Sequence, residues 1–522
     1  LGRRHQLVPR GKVADSRSLV ELAGVDAPVH SNNARDLVQF IADWEDVNSD
    51  VLPEARVTST MGWQGDAGQH GFMWGRSQLL PGGDEQPGLA IEELPPSRWG
   101  ERQVHLLVDS GGRDLAEGFQ AAGSWEGWLA VVEEARDYPA VMLALYAALV
   151  PPLMVFLPTL PNFIVDYCGP TSEGKTTTLR FAASAWGCPD ERSGGLIRSW
   201  DATRVWIERT AALLGHLPLF LDDTKRARRR EEVARVLYDL ANGIGRGRGS
   251  ISGTRDLGRW RTVLLTTGEA PATSFTNDGG TRARTLSLWG SPFGGGGAET
   301  GQAVRRITEG ALRNHGHAGP RLVRWILDTP DARDQIRLQY QEARDRWDAL
   351  TNGNPVAGRA AQYVAGLAVA QWALHEILGV PRAAADPLDH AWTAVCGASV
   401  QADRAADALR DVLSWATSHQ ARFYGRQPSS GYIDSTPHAG WLGAWANDDR
   451  WTHIGVLPHE LQRFLEGQGY DFEAVVCTWL DRGWLRRSGK HRGRKLTISG
   501  VKQRCLVITR AACDAVQGDD DE

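Results

Sequence analysis

Gly169-Pro170-Thr171-Ser172-Glu173-Gly174-Lys175-Thr176 reads G-x-x-x-x-G-K-T. It follows the apolar stretch Phe163-Ile164-Val165-Asp166-Tyr167 and opens a helix-like run over 177–186. Strand, glycine-bearing loop and helix in that order let backbone N–H groups at a helix N-terminus face phosphate oxygens. The pattern predicts a phosphate-cradling P-loop for ATP. Gly169, Pro170, Thr171, Ser172, Glu173, Gly174, Lys175, Thr176 and Thr177 are the expected nucleotide contacts. Lys175 would neutralise β/γ-phosphate charge, and the Thr176 hydroxyl would hold Mg²⁺. Lysine occurs at only six positions of this chain, so its place in the motif carries weight. The other use of such a segment is a left-handed turn that merely joins a strand to a helix.

Outward from this loop, alternation continues. Apolar strand-like runs at 163–167, 196–199, 217–221, 262–267 and 285–289 are separated by helix-like runs at 177–186, 203–214 and 231–240. Such alternation predicts a mainly parallel sheet covered by helices. The run ending in Asp222-Asp223 is the third strand along the chain rather than the second. One strand is therefore expected to insert between it and the P-loop strand, the order of the additional-strand ATPases.

The chain has 522 residues, 42% of them hydrophobic, enough for about three domains. It begins at Leu1 with no leader pattern following, which reads as a fragment lacking an upstream part. The uncharged run 140–157 contains Pro151-Pro152, which predicts a buried helix and an apolar connector rather than a membrane span. The six cysteines show no metal-ligand spacing, and a reducing cytoplasm fits them. The net charge of −5 hides basic clusters at 225–230, 246–261 and 486–495, so the whole-chain balance does not exclude a nucleic-acid partner.

The expected domains are an α+β accessory domain over 1–138, an ATPase core over 139–330, a helical lid over 331–401, a winged helix over 402–515 and an acidic tail over 516–522. The lid rests on helical periodicity at 333–350 and 358–378. The winged helix rests on helices at 405–421, 459–465 and 472–480, followed by strands 484–487 and 495–498 pairing across 488–494.

In Leu219-Phe220-Leu221-Asp222-Asp223-Thr224 the first carboxylate sits where a strand end holds Mg²⁺, and the second could orient or deprotonate the attacking water. An N-cap or solvated turn is the structural alternative. The strand Arg261-Thr262-Val263-Leu264-Leu265-Thr266-Thr267 ends in hydroxyls, of which Thr267, or else Thr266, is the expected γ-phosphate sensor; β-branched residues also simply suit a strand. On the loop before the last strand, Arg284, or else Arg282, suits an arginine finger that reaches a neighbouring subunit's ATP.

The blocks Ser199-Trp200-Asp201-Ala202-Thr203, Leu221-Asp222-Asp223, Tyr238-Asp239-Leu240-Ala241-Asn242-Gly243, Thr266-Thr267-Gly268-Glu269 and His315-Gly316-His317-Ala318-Gly319-Pro320 together resemble the bacterial domain of unknown function 927. Its members look like P-loop ATPases of prophages and mobile elements, often beside primases. Some resemble ring helicases of staphylococcal cassette elements, related to the minichromosome-maintenance branch of the AAA+ class. The resemblance runs from about Ser16 to Trp325. It implies ATP and Mg²⁺ at the P-loop and Asp222, a sensor strand at Thr266-Thr267 and a trans role for Arg284. Asp223 departs from the family's usual Glu, which puts the general base in question. No physical role follows for Trp200, Asn242 or His317.

The resemblance also gives the segment 243–255, with Arg246, Arg248 and Arg255 among glycines, the place of an insert that projects into the ring channel and touches the nucleic-acid backbone. A mobile surface loop is the alternative. On the wing, Arg492 and Arg494 stand among basic residues that suit duplex or fork binding. The resulting expectation is an oligomeric, hexameric, cytoplasmic ATP-dependent DNA helicase of a mobile element, a primase being a further partner. An ATP-switched DNA-binding scaffold or loader and a P-loop transferase acting on a small acceptor are the rival readings.

Overall fold

The computed structural model describes the chain apart from residues 1–9, 26, 53–55, 66–67, 83–84, 88–103, 193, 247–248, 251–252, 255–257, 277, 296, 352–354, 384, 402–403, 427–436, 447–450, 469, 471, 489–490 and 518–522. Two compact units form, Leu1–Val395 and Cys396–Glu522.

In the larger unit a hydrophobic helix, α1 (Pro139–Leu149), is buried on every side. Pro139 opens it, where a missing N–H costs nothing. The 3₁₀ turn Pro151–Phe156 then ends the run expected as helix and connector. No helix among the described residues is long and apolar enough to cross a membrane. The sheet follows: β1 (Phe163–Cys168), α2 (Lys175–Ala183), β2 (Ile197–Ser199), α3 (Arg204–Leu214), β3 (Leu219–Asp222), α4 (Arg230–Asn242), β4 (Val263–Gly268) and β5 (Thr285–Trp289). Its strand order is β5-β1-β4-β3-β2, parallel throughout. The strand inserted between β1 and β3 is therefore β4, the one ending in Thr266-Thr267. All six residues of β1 and of β4 are buried, as central strands covered on both faces require.

Thr203 caps α3 by accepting the Trp206 N–H, and Gly243, at φ 73°, ends α4 in the left-handed conformation. Between α4 and β4 the strands Gly249–Ser250 and Gly253–Thr254 pair antiparallel, so the glycine- and arginine-rich insert carries a hairpin.

From Met61 to Val395 the segments expected as accessory domain, core and lid share one hydrophobic core, while Leu19, Val29 and Ala34 form a small cluster of their own. The divisions at 138/139 and 330/331 thus do not separate folding units. Tryptophans are one reason: they bury large area and still direct an N–H to a distant carbonyl. Trp63 Nε1 donates to Pro152 O at 2.8 Å, Trp74 Nε1 to Trp186 O at 2.8 Å and Trp186 Nε1 to Ala148 O at 2.7 Å. The first two bonds fasten a four-stranded antiparallel sheet of the N-terminal segment to the α/β body, and the third ties that body's own segments together. The helices Ala332–Ala349 and Pro355–Trp372 lie where the lid periodicity put them, the second passing into a π-turn at Ala373–Ile377.

The smaller unit contains the helices Arg404–Ser418, Pro458–Gly467 and Phe472–Asp481 and a five-stranded sheet. The expected pairing of 484–487 with 495–498 does not occur. Arg494–Ile498 pairs instead with Val501–Thr509, through a two-residue turn in which Ser499 and Gly500 both have positive φ. Leu485 bridges Ile508 farther along the same long strand. The tight Ser-Gly turn closes a hairpin locally, whereas the expected pairing needed a longer loop.

Candidate functional site

The carboxyl ends of β1, β3 and β4 converge on the Gly169–Thr176 loop, where an open parallel sheet places its ligands. The loop departs from β1 through Gly169 at φ 145°, passes Ser172 at φ 65° and enters α2 through Gly174 at φ 85°. A β-carbon on Gly174 would lie 2.6 Å from the Phe293 ring, so both the backbone sign and the close approach demand glycine there. Gly290 N donates to Cys168 O at 2.8 Å, and Ser291 Oγ donates to Glu173 O at 3.3 Å. The segment after β5 thereby braces the loop. Lys175 Nζ donates to the carbonyls of Gly169, at 2.9 Å, and of Pro170.

Below the loop a polar cluster forms. Thr267 Oγ1 donates to Asp222 Oδ1 at 2.6 Å and accepts the Asp223 N–H at 2.8 Å. Thr176 Oγ1 lies 3.2 Å and 3.4 Å from the two Asp222 oxygens. Burial raises the Asp222 pKa; hydrogen bonds from Thr267 and Thr176 oppose this, and the charges of Glu191 and Asp223 add to it. A carboxylate desolvated in this way, beside like charges, gains from a nearby cation. Thr176 and Asp222 supply the hard oxygens that suit Mg²⁺. No group of three or more His, Cys, Asp or Glu with metal-holding geometry occurs among the described residues. A cation here would complete its shell with water and phosphate oxygens, as Mg²⁺ commonly does.

Adjacent strand residues face opposite ways, and this separates the two threonines. Thr267 reaches Asp222, while Thr266 accepts a 2.8 Å hydrogen bond from Trp200 Nε1 in the core. Trp200 N also donates to Asp222 O at 3.3 Å, so it ties the ends of β3 and β4 together. That is a physical role for Trp200, which sequence reasoning left without one. Asp223 has φ 62° and ψ 86°, and its carboxylate accepts the Lys225 N–H at 3.1 Å, capping the next turn.

Other expected residues are not brought to the loop. Arg284 precedes β5 at the opposite end of the sheet, where its carbonyl accepts the Ile164 N–H and its Nη1 donates to Asn242 Oδ1 at 3.0 Å. Arg246 is exposed at the start of the insert. Arg248, Arg255 and residues 518–522 of the expected tail lie outside the described residues, whereas Val516 and Gln517 end the helix Arg510–Gln517, with Val516 buried. Arg494 is exposed on the hairpin of the smaller unit, whereas Arg492 forms an ion pair with Glu473. His317 Nε2 lies 2.9 Å from Ala122 O, a contact that pins the chain ahead of the helix Ala318–Asp328.

Two residues escaped sequence reasoning. Asn162, ahead of β1, accepts the Thr262 N–H and donates to the carbonyls of Leu240 and Trp260, which joins α4, the insert and β4 at one point. Asp166, inside β1, is fully buried and accepts from Ala272 N at 2.6 Å and Ser287 Oγ at 3.0 Å. Its signal was present as a lone carboxylate in an apolar strand.

The larger unit is thus a parallel α/β body that carries a glycine-bearing loop at the carboxyl ends of its strands. Residues 6–257 match the model of the family described as Domain of unknown function (DUF927), so the resemblance seen in the sequence holds over that stretch. Thr267, Arg284 and the His315–Pro320 block lie beyond it. Residues 403–511 match the model described as Cch helix turn helix domain. Fourteen chains of solved structures match, among them one described as "SCCmec type IV Cch - active helicase". That likeness has a TM-score of 0.70 at 18% identity and covers 97% of this chain and 88% of the other. A comparison with curated proteins finds no match.

Proposed function

We propose that this chain is an ATP-dependent DNA helicase or translocase of the AAA+ type, acting as a ring, hexameric in form, in replication of a mobile genetic element in the cytoplasm. The observation that carries the reading is the Thr176–Asp222–Thr267 cluster beneath the glycine-bearing loop, on a sheet of order β5-β1-β4-β3-β2. Its likeness in fold to a solved helicase and its helix-turn-helix match support the DNA half.

In this reading the N–H groups of residues 169–177 and Lys175 bind the phosphates of ATP, and Thr176 and Asp222 hold Mg²⁺. The cation, when bound, offsets charge on the β- and γ-phosphate oxygens. Thr267 keeps Asp222 oriented and senses the γ-phosphate. Asp223 orients the attacking water and takes its proton, and Arg284 serves the site of the neighbouring subunit. Arg246, Arg248 and Arg255 contact single-stranded phosphates without reading sequence, while Arg494, with Arg492, contacts a duplex or fork. Release of Arg492 from Glu473 would accompany that contact. A primase is a further partner.

One observation favours a second reading, an ATP-switched loader that does not unwind. Asp223 is one methylene shorter than Glu, and its carboxylate is occupied in capping Lys225, which suits slow turnover. ATPase stimulated by single-stranded DNA together with unwinding of a forked duplex supports the helicase. Stimulation without unwinding supports the loader, and the absence of DNA stimulation removes both.

A further inference from the structure

The foot of the sheet, opposite the phosphate loop, gathers parts that the proposed function assigns to different tasks. Asn242 is the last residue of α4, and Gly243 beside it begins the insert. The stem of that insert is firmly held: Trp260 N donates to Gly243 O at 3.1 Å, and Gly245 N to Gly258 O at 2.8 Å. A β-carbon on Gly243 would sit 2.5 Å from Asn162 Nδ2, so the stem cannot shift there without disturbing Asn162. Asn162 in turn bonds Leu240, Trp260 and Thr262.

Asn162, Asn242, Gly243, Trp260 and Arg284 line one cleft, which has a volume of about 530 Å³. The Arg284 backbone is fixed, because its N–H donates to Thr281 O and its carbonyl accepts from Ile164 N, while Tyr363 donates to the preceding carbonyl of Ala283. Among the described residues the guanidinium's hydrogen-bond partner is Asn242, whose Oδ1 accepts from Nη1 at 3.0 Å. A neutral amide can hold a guanidinium and still release it to a phosphate, since a charged acceptor binds it about twice as strongly.

We infer that Asn242 is a positioning residue that couples the strand-contacting insert to Arg284, so that engagement of a strand by the insert sets the reach of the arginine toward the next subunit's nucleotide. The inference rests on the proposed function, and it is tested on the full chain in its ATP-bound oligomer. The Asn242→Ala, Asn242→Asp and Asn242→Gln variants are compared with Arg284→Ala and Lys175→Ala for kcat and KM of ATP hydrolysis, with and without an oligothymidylate strand.

Asn242→Ala should keep KM for ATP and the affinity for the strand within about twofold of wild type. Its kcat with the strand should fall to the strand-free value. Asn242→Gln, which keeps the amide, should recover at least half of the stimulated increment. Asn242→Asp should fall below Asn242→Ala, because a carboxylate retains the arginine in its own chain. If Asn242→Ala unfolds, Asn242→Ser is read in the same way.

The full stimulated increment in Asn242→Ala, with Arg284→Ala and Lys175→Ala inactive, overturns the inference and leaves the functional reading standing. Wild-type turnover in Arg284→Ala overturns the functional reading and the inference with it.

Discussion

Replacing Asp166 by Asn changes one buried charge in the strand that carries the phosphate loop. Asp166 is fully buried, one carboxylate oxygen accepts from Ala272 and Ser287, and the other accepts no N–H or O–H among the described residues. Burial pushes its pKa up to about 6, against an ordinary value of 3.8. Between those two values the native state binds more protons than the unfolded state. Stability is therefore fully present below pH 3.8, declines as pH rises, and is flat above about pH 6. The whole difference is about 3 kcal/mol, of which about 1.4 kcal/mol is lost between pH 5 and pH 8.

Asn keeps the shape and accepts the same two hydrogen bonds. Its amide N–H group takes the place of the other oxygen at a cost of about 1–2 kcal/mol. Asp166→Asn should thus be stabilising by about 1–2 kcal/mol at pH 8 and near neutral at pH 5. Denaturant titration of the full chain at both pH values, followed by tryptophan fluorescence, measures this. Equal pH dependence in wild type and variant would refute the reasoning, because it would mean that Asp166 is not held protonated by burial.

Binding and hydrolysis should separate: Lys175→Ala weakens ATP binding, while Asp223→Asn retains it and loses turnover. A rate within a few-fold of wild type in Asp223→Asn, measured by phosphate release, would assign the base elsewhere. Arg284→Ala should lower turnover by about 10³-fold or more with the melting temperature unchanged. Mixing it with Lys175→Ala chains should restore part of the activity, and no recovery in mixed oligomers counts against a shared site. Each of Arg246→Ala and Arg248→Ala should lower the salt slope of single-strand binding by about 0.7, as read by fluorescence anisotropy over a salt series. Arg494→Ala should weaken fork binding more than Arg492→Ala, whose guanidinium already has Glu473 as partner; the reverse order would place the duplex contact at Arg492.

The loop and the parallel sheet could be read from the chain because their determinants are local. A G-x-x-x-x-G-K-T segment between an apolar strand and a helix fixes backbone conformation within a few residues. The position of the Asp222 strand in the chain order led to the expectation of an inserted strand, and pairing identified it as β4, which follows in the chain, while β2 lies at the sheet edge.

Tertiary structure decided the rest. Which of Thr266 and Thr267 meets Asp222 depends on which face of β4 turns toward β3. Trp200, Asn162 and Asn242 gained roles from partners 42 to 100 residues away, and no periodicity records such distances. The Ser499-Gly500 turn is a local feature of the sequence, and it makes Val501–Thr509 the hairpin partner. The N-terminal segment looked like a domain of its own because its strands are short and turn-rich. Only packing revealed that its tryptophans reach the helices of the α/β body and close one core. Sequence patterns specify backbone conformation over one element, whereas shared cores and cross-sheet hydrogen bonds depend on where separate elements meet.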